Sequence, residues 1–464
     1  MFYGREMELK QLHELYQKPG FQMPVIYGRR RVGKTRLIQE FCRQKKCIFF
    51  VAIEQNDKES LRMFSEAILL QAPSEQSQFI DQFASWEAAF RYLGVLSKQE
   101  RWVLVIDEYP YLASGNKSLP SILQNAIDHV FLETQLFLIL CGSSMSFMEN
   151  QVLDYKSPLY GRRTAQFKIR PLDYLDSIKF FQKWKQEDQL YGYAVAGGIP
   201  QYLLAMSQYR NFKTAVVHNF LSSSGSLYEE PMNLMKQEMR EPAVYNSIIK
   251  AIAKGASRQI DISNFAHEDS SKTANYLRAL LDLEIIEKKY PLDEDNKRKT
   301  VYMIKDNMYQ FWYKFIPDAM SLVEMGMSEE AYDRIIEPGF SQFFGFVFED
   351  ICRQYLIREN QALNLRTLYH DFGSWWGTNP VLKIEEEIDI VASNKQEVLF
   401  AECKWKSELV GIKEWETLLR RSSLTQKGKD QEFWLFSKSG FSKELQKLEN
   451  GTLHLVVYDM IFAI

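Results

Sequence analysis

The chain has 464 residues, of which 46% are hydrophobic and 25% charged, with a formal net charge of -3. At ~100–200 residues per domain, this predicts two to four domains of ordinary globular composition. The balanced charge excludes a global basic field, so any nucleic-acid contact must come from a local patch.

The five cysteines, Cys42, Cys47, Cys141, Cys352 and Cys403, form no C-x-x-C pair and have no histidine at ligand spacing. Neither a zinc site nor a disulfide framework is expected, and a reducing cytoplasm fits. The N-terminal stretch MFYGREMELK is charged from the start. No apolar run approaches the ~18 residues of a membrane span, so neither a secretory leader nor a transmembrane helix is expected.

From residue 1 to 175, short apolar strands alternate with amphipathic helices, the pattern of an α/β parallel sheet. Strands are predicted at Pro24–Tyr27, Cys47–Ile53, Trp102–Ile106, Leu136–Cys141 and Thr164–Ile169. Residues 176–238 read as helical, 239–325 as short helices followed by a hairpin, and 326–464 as a long helix followed by alternating strands and helices. Domain boundaries are therefore expected near 175, 238 and 325.

After the first strand comes Gly28-Arg29-Arg30-Arg31-Val32-Gly33-Lys34-Thr35, followed by a predicted helix over Arg36–Arg43. The segment fits G-x-x-x-x-G-K-[ST] at every position, in the strand–loop–helix context the motif requires. Gly28 and Gly33 let the backbone turn its N–H groups inward, and the helix N-terminus adds positive potential. Lys34 reaches the β- and γ-phosphates, and the Thr35 hydroxyl binds Mg²⁺. The loop through Arg36 is thus expected to bind ATP with Mg²⁺. Arg29, Arg30 and Arg31 are either solvated loop charge or cations for a second phosphate ligand or for acidic groups of another domain.

Trp102 to Glu108 is an apolar strand ending in two carboxylates. Asp107 is expected to hold Mg²⁺ through water, and Glu108 to orient or deprotonate the attacking water. That second carboxylate points to hydrolysis instead of mere binding. Leu136–Cys141 ends in Gly142-Ser143-Ser144, where a hydroxyl is either a γ-phosphate sensor or part of a Ser-rich turn.

These residues resemble the AAA+ and STAND-type ATPases. Phe2-Tyr3-Gly4-Arg5-Glu6-x-Glu8-Leu9 is similar to their N-terminal motif. Tyr160-Gly161-Arg162-Arg163 and Gly197-Gly198-Ile199-Pro200-x-Tyr202-Leu203 are similar to elements of the archaeal-type ATPase family within that group. The resemblance implies adenine contacts at Phe2, Gly4 and Arg5, and γ-phosphate sensing by Ser143 or Ser144. It also implies an arginine finger at Arg162 or Arg163 reaching a neighbouring subunit of a homo-oligomer. The Gly-Gly-x-Pro turn would lie in a helical lid. A plain surface pair is the alternative for Arg162 and Arg163.

Helices are predicted at Tyr245–Ala253, Ser263–Ala266 and Ser270–Leu283, the last capped by Ser270 or Ser271. Strands at Ile285–Tyr290 and Thr300–Ile304 flank Asp293–Lys299. This order resembles a winged helix-turn-helix. Lys272, Asn275 and Arg278 on the third helix, with Lys297, Arg298 and Lys299 in the loop, would meet DNA phosphates and groove edges. Glu268, Asp269, Asp282, Asp293, Glu294 and Asp295 dilute that charge. A spacer between domains or subunits fits the segment equally.

In the last segment, Glu385 to Ala392 and Val398 to Trp405 read as two strands joined by a short hairpin. Glu402 and Lys404 are two apart and share a face, and the hairpin brings Asp389 beside Glu402. Phe346–Tyr355 is helical and carries Glu349. The set resembles the PD-(D/E)XK nuclease fold, the restriction-endonuclease-like α/β architecture. The short Pro-Asp element of that fold is absent, and Ile388-Asp389 stands in its place. Asp389 and Glu402 supply hard oxygen ligands for Mg²⁺ or Mn²⁺. Lys404 would orient the attacking water, and Glu349 would complete the metal site or hold Lys404. Phe372-Gly373-Ser374-Trp375-Trp376 resembles the lead-in of the C-terminal domain fused to these ATPases.

The expected protein is an ATP-hydrolysing switch coupled through a winged helix to a metal-dependent nuclease-like domain acting on nucleic acid, DNA first. The rival is a non-nucleolytic switch whose C-terminal domain binds DNA or a protein partner. A transcription regulator, resting on the winged helix alone, is the third reading.

Overall fold

The computed structural model describes residues 2–73, 80–292 and 299–462. Of the expected loop residues, Asp293, Glu294, Asp295, Lys297 and Arg298 lie outside the described residues. The chain divides into two compact units, Met1–Leu172 with Ile199–Gln201, and Asp173–Gly198 with Tyr202–Ile464. Among the described residues no helix is long and apolar enough to cross a membrane.

The first unit is built on five strands: β1 (Pro24–Tyr27), β2 (Cys47–Val51), β3 (Val103–Asp107), β4 (Phe137–Gly142) and β5 (Ala165–Lys168). They form a wholly parallel sheet in the order β2-β3-β4-β1-β5. β1, β3 and β4 are buried at every residue. Helices covering both faces of a parallel sheet explain why these strands read as unbroken apolar runs. β1 pairs with β4 up to Tyr27 opposite Gly142, and β3 pairs with β4 up to Ile106 opposite Leu140. The C-terminal ends of three strands therefore share one sheet edge, where polar loops leave an apolar core. The helices Asp57–Gln71 and Trp86–Gln99 are capped by Asn56 and Ser85, whose side chains accept from the amides of Glu59 and Ala88. They set Phe64, Phe90 and Leu93 into one core with Leu104 and Leu138.

In the second unit, helices Pro242–Ala253, Gln259–Ala266 and Ser270–Asp282 lead into an antiparallel hairpin of β6 (Ile286–Lys289) and β7 (Val301–Ile304). The cap of the third helix is Asp269, not Ser270 or Ser271. Its carboxylate accepts from the amides of Ser271 at 2.8 Å and Lys272 at 3.3 Å. Asp269 has the extended backbone an N-cap needs, and its negative charge suits the helix N-terminus better than a hydroxyl does.

After the long helix Glu337–Gln361 comes a second sheet, in the order β12-β11-β10-β9-β8. Its strands are β8 (Asp371–Thr378), β9 (Glu385–Ser393), β10 (Glu397–Lys404), β11 (Asp430–Ser437) and β12 (Leu453–Val457). β8, β9 and β10 pair antiparallel, and β10, β11 and β12 pair parallel, with helix Ile412–Ser422 between β10 and β11. β10 is central and buried from Val398 to Cys403. Just past it, the Trp405 ring lies 4.5 Å from that of Phe344 and 4.8 Å from that of Phe348. These two residues are one turn apart on the long helix and share a face, so Trp405 docks the helix against the strand end. The buried thiols of Cys352 and Cys403 lie near each other at the same junction.

Gly28 follows β1 with φ +154°, and a Cβ there would sit 2.3 Å from the carbonyl oxygen of Ile169. The Ile169 amide donates to the Tyr27 carbonyl at 2.7 Å, which fixes that backbone. Gly28→Ala is expected to destabilise the protein by more than ~1 kcal/mol, read as a lower urea midpoint. An unchanged midpoint would show that the loop relaxes freely.

Candidate nucleotide site and carboxylate cleft

The phosphate-loop residues sit at the edge where β1 ends. Gly33 is left-handed at φ +94° and opens the helix Lys34–Cys42, with the Leu37 amide donating to its carbonyl at 3.0 Å. A Cβ on Gly33 would lie 3.5 Å from the Pro200 ring, so Pro200 packs on the loop. Lys34 is buried, and its ammonium donates to the carbonyls of Gly28 at 2.9 Å and Arg29 at 3.0 Å. Those two acceptors satisfy a charge that would otherwise be costly to bury.

The Thr35 hydroxyl donates to Asp107 Oδ2 at 2.7 Å, and Asp107 Oδ1 accepts from the Glu108 amide at 3.0 Å. Asp107 is buried. A hydroxyl and a carboxylate touching at a helix N-terminus are hard oxygen donors of the kind Mg²⁺ takes. Glu108 adopts φ 54°, ψ 44°, a left-handed conformation unusual for a side chain of its size. Its Oε2 accepts from both the amide (3.1 Å) and the hydroxyl (2.8 Å) of Ser143, at the end of β4. The structure thus brings Gly28–Thr35, Asp107, Glu108 and Ser143 together. Ser144 is the next residue, half-buried, with its carbonyl accepting from the Met148 amide.

Other expected residues are placed differently. Arg5 is buried, and its guanidinium donates to the carbonyls of Val32 at 3.2 Å and Arg170 at 2.6 Å. It braces the loop from behind. Phe2 and Gly4 precede it, half-buried. Arg29 and Val32 are buried, Arg31 is left-handed at φ 68°, and Arg36 is exposed on the first helical turn. Arg30 donates to the Tyr111 hydroxyl at 2.9 Å. Arg162 is held in a two-point pair with Asp128, at 2.8 and 2.6 Å, and donates to the Pro158 carbonyl as well. Reaching another subunit would require that pair to open. Arg163 donates to the Leu153 carbonyl at 2.9 Å and lies beside the Tyr160 ring.

In the second unit, extending the β9–β10 register by one residue from Ile390 opposite Ala401 sets Asp389 level with Glu402. Lys404 Nζ donates to Glu402 Oε1 at 2.6 Å and lies 3.7 Å from Asp389 Oδ2. Asp389 Oδ2 also accepts from the Cys403 amide at 2.8 Å. Burial, then Glu402, raises the Asp389 pKa, opposed by Lys404 and the Cys403 amide. Burial, then Asp389 and Glu387, raises that of Glu349, opposed by Lys289 and Lys404. Burial works against the Lys404 ammonium, but Asp389 and Glu402 outweigh it and hold its pKa above the ordinary lysine value.

Glu349 and Asp389 line a cleft of about 950 Å³ between the β6–β7 hairpin, the long helix and the β8–β9 edge. Among the described residues no three or more His, Cys, Asp or Glu side chains gather as a metal-binding group. Beside the cleft, Asp389 is linked to Glu402 through Lys404.

Sequence reasoning missed the arginines that complete this cluster. Arg421 binds both Glu402 oxygens, at 3.1 and 3.3 Å, and Glu386 Oε2 at 3.2 Å, while Arg420 also binds Glu386. A consecutive Arg-Arg on an amphipathic helix was the available signal; nothing local said which carboxylates it meets. Asp128, 34 residues from Arg162, was equally invisible.

Residues 2–206 match the model of an ATPase domain predominantly from Archaea, and residues 312–418 match one described as Archaea bacterial proteins of unknown function. An uncharacterized protein of Methanocaldococcus jannaschii is 33% identical over 462 residues, covering 97% of this chain and 98% of its own length. The Walker-type ATPase of Pyrococcus abyssi has a TM-score of 0.53 at 21% identity, covering 67% of this chain and 96% of that one, a likeness of fold. The ORC2 protein of Aeropyrum pernix, solved in ADPNP–ADP complexes, gives a TM-score of 0.47 at 13% identity, covering 70% of this chain and 95% of that one. The matched ATPase domain and the loop at the sheet edge agree: the protein is an ATP-binding P-loop ATPase. Its near-full-length identity with the M. jannaschii protein shows that the chain belongs to that protein's family, and its N-terminal part is an ATPase domain of predominantly archaeal type.

Proposed function

We propose that ATP turnover in the first unit switches a metal-dependent, nuclease-like site in the second, acting on nucleic acid, with DNA as the first candidate. The ATPase part rests on the phosphate loop. Lys34 exchanges its two loop carbonyls for the β- and γ-phosphates, while the amides of Gly28–Thr35 and the exposed Arg36 meet the remaining oxygens. Thr35 and Asp107 would hold Mg²⁺, which would offset charge on the phosphates. Glu108 takes the proton of the attacking water, and Ser143 holds its carboxylate and senses the γ-phosphate. Phe2, Gly4 and Arg5 form the adenine side. Arg163, which among the described residues forms no ion pair to match that of Arg162 with Asp128, is the better candidate to act across a subunit boundary.

The nuclease-like part rests on one observation: Asp389, Glu402 and Lys404 meet on adjacent antiparallel strands, and Glu349 on the long helix lines the same cleft as Asp389. This is the arrangement of a PD-(D/E)XK-like fold, and the three helices with their hairpin are a winged helix-turn-helix. Domain limits at 175, 238 and 325 go with that reading. Asp389 and Glu402 fit Mg²⁺ or Mn²⁺ as hard donors, and burial raises the pKa of Asp389 and Glu349 by penalising their ionised forms, a penalty that a divalent cation would offset. Such an ion, held by Asp389 and Glu402, would polarise the scissile phosphate and acidify a bound water. Lys404 orients that water and balances the charge that develops. The binding-module reading draws on Arg421 and Lys404, which already satisfy Glu402.

Lys34→Ala removes a charge-assisted contact worth ~1.5–3 kcal/mol, so ATP affinity is expected to fall tenfold or more by equilibrium titration. Unchanged affinity and turnover in a folded variant would sink the assignment of this loop. Glu108→Gln should keep ATP bound while slowing hydrolysis by ~10²–10⁴-fold in a phosphate-release assay, because the amide takes no proton. Wild-type turnover would make Glu108 structural only. Asp389→Asn should reduce Mg²⁺-dependent cleavage of nucleic acid by ~10²-fold or more with the melting temperature kept, since it removes a buried charge and retains an acceptor for the Cys403 amide. If wild-type protein cleaves neither DNA nor RNA with ATP and Mg²⁺ or Mn²⁺, the binding-module reading takes its place.

A further inference from the structure

The carboxylate cleft has a face that hydrolysis does not use. Phe343, Phe346, Glu349 and Arg353 follow one another at three- or four-residue spacing on the long helix and line the cleft as one stripe. Phe346, one turn before Glu349, is 52% exposed, although its neighbours Phe343, Phe344 and Val347 are buried in the helix packing. Across from it, Tyr290 at the end of the hairpin strand is 54% exposed, and Trp376 of β8 is half-buried. Aromatic rings left open inside a cleft, on elements that bury their other rings, ask for flat partners.

Lys289 and Lys314 are two of the three lysines that line the same space. Lys289 comes from β6 and Lys314 from the helix Asn307–Glu324. Lys314 is half-buried, its ammonium lies 5.6 Å from the Phe315 ring centroid, and among the described residues no carboxylate pairs with it. Burial lowers its pKa, so an anion arriving there would be favoured. Leu292, shortly after β6, is tied down: its amide donates to the Ser374 carbonyl at 2.9 Å, and Gln426 donates to its carbonyl at 2.8 Å. The cleft is therefore a built enclosure on this side.

A duplex hides its base faces and is held by broad basic surfaces along two phosphate chains. This cleft offers the reverse. Its rings suit unstacked bases, its volume lies within the ~300–1,000 Å³ of pockets that enclose small ligands, and its carboxylates outnumber its cations. Arg353 and Arg421 are already engaged with Asp350 and Glu386. A phosphate chain enters such a site only when a divalent cation offsets the acids.

We propose that the cleft takes single-stranded nucleic acid, with bases stacked on Phe346 and Tyr290, phosphates on Lys289 and Lys314, and a divalent ion at Asp389 as a condition of binding. The metal part rests on the nuclease-like reading above; the strand part rests on the open rings and lysines. The chemistry is common to DNA and RNA single strands.

Fluorescence anisotropy on the full chain tests it, with labelled oligothymidylate, oligouridylate and a DNA duplex of equal length. Ca²⁺ replaces Mg²⁺ to hold back cleavage, and EDTA serves as the metal-free arm. At least one single strand should bind in Ca²⁺ roughly tenfold or more tightly than the duplex and weaken in EDTA; which one names the sugar. Phe346→Ala should weaken that binding about tenfold, and Phe346→Tyr should restore it. Lys314→Gln should lower the salt dependence by about one phosphate contact. Duplex binding as tight as single-strand binding overturns the proposal, as does Phe346→Ala without effect while its thermal midpoint is unchanged. If single strands bind as described but neither DNA nor RNA is cut with Mg²⁺ or Mn²⁺, the nucleolytic reading fails and the single-strand cleft stands.

Discussion

Parallel pairing of β1 with β4, and of β4 with β3, decides where chemistry happens in the first unit. Strands that run the same way finish together, so three buried apolar runs release three polar loops at one edge. The phosphate loop, the Asp107–Glu108 pair and Ser143 are far apart in the chain and adjacent in space for that reason alone. The helix Lys34–Cys42 then adds its N-terminus to the same edge. Glu108 pays a small backbone strain to sit left-handed there, and its two bonds from Ser143 hold it in place.

The second unit assembles its acids by a different device. A central strand buried from Val398 to Cys403 forces Glu402 into a low-dielectric layer, where Lys404 and Arg421 are the compensating charges. Trp405, set between Phe344 and Phe348, fixes the long helix to that strand. An aromatic contact thereby positions Glu349 near a polar cluster it does not itself build. Removing any one member of such a cluster leaves the others buried and uncompensated.

What could be read in advance divides along contact distance. β1 runs over Pro24–Tyr27 as the pattern predicts, and the other strands of that sheet shift by a residue or two at their ends. The phosphate loop was legible because its residues are consecutive. Glu402 and Lys404 were legible as a pair because period-two geometry alone sets their face. Arg421 on Glu402 and Glu386, Arg162 on Asp128, and Arg5 on the loop carbonyls were not, because helix-to-sheet packing determines them. The Asp269 cap was missed for a smaller reason: any of three successive polar residues satisfies the pattern, and only the backbone angles distinguish them. The cleft itself depends on where the hairpin lies relative to β8, which no local signal carries.

The contact between Cys352 and Cys403 has a practical consequence. Both thiols are closed to solvent and lie where the long helix meets β10, whereas Cys42 and Cys47 are only half-buried. An alkylating reagent can reach the inner pair only during excursions that lift the helix from the strand. Their modification rate, followed by mass spectrometry, is then a clock for the breathing of this junction. Slowing of that clock by a ligand would report, without any label, that the ligand steadies the layer carrying Glu349 and Glu402.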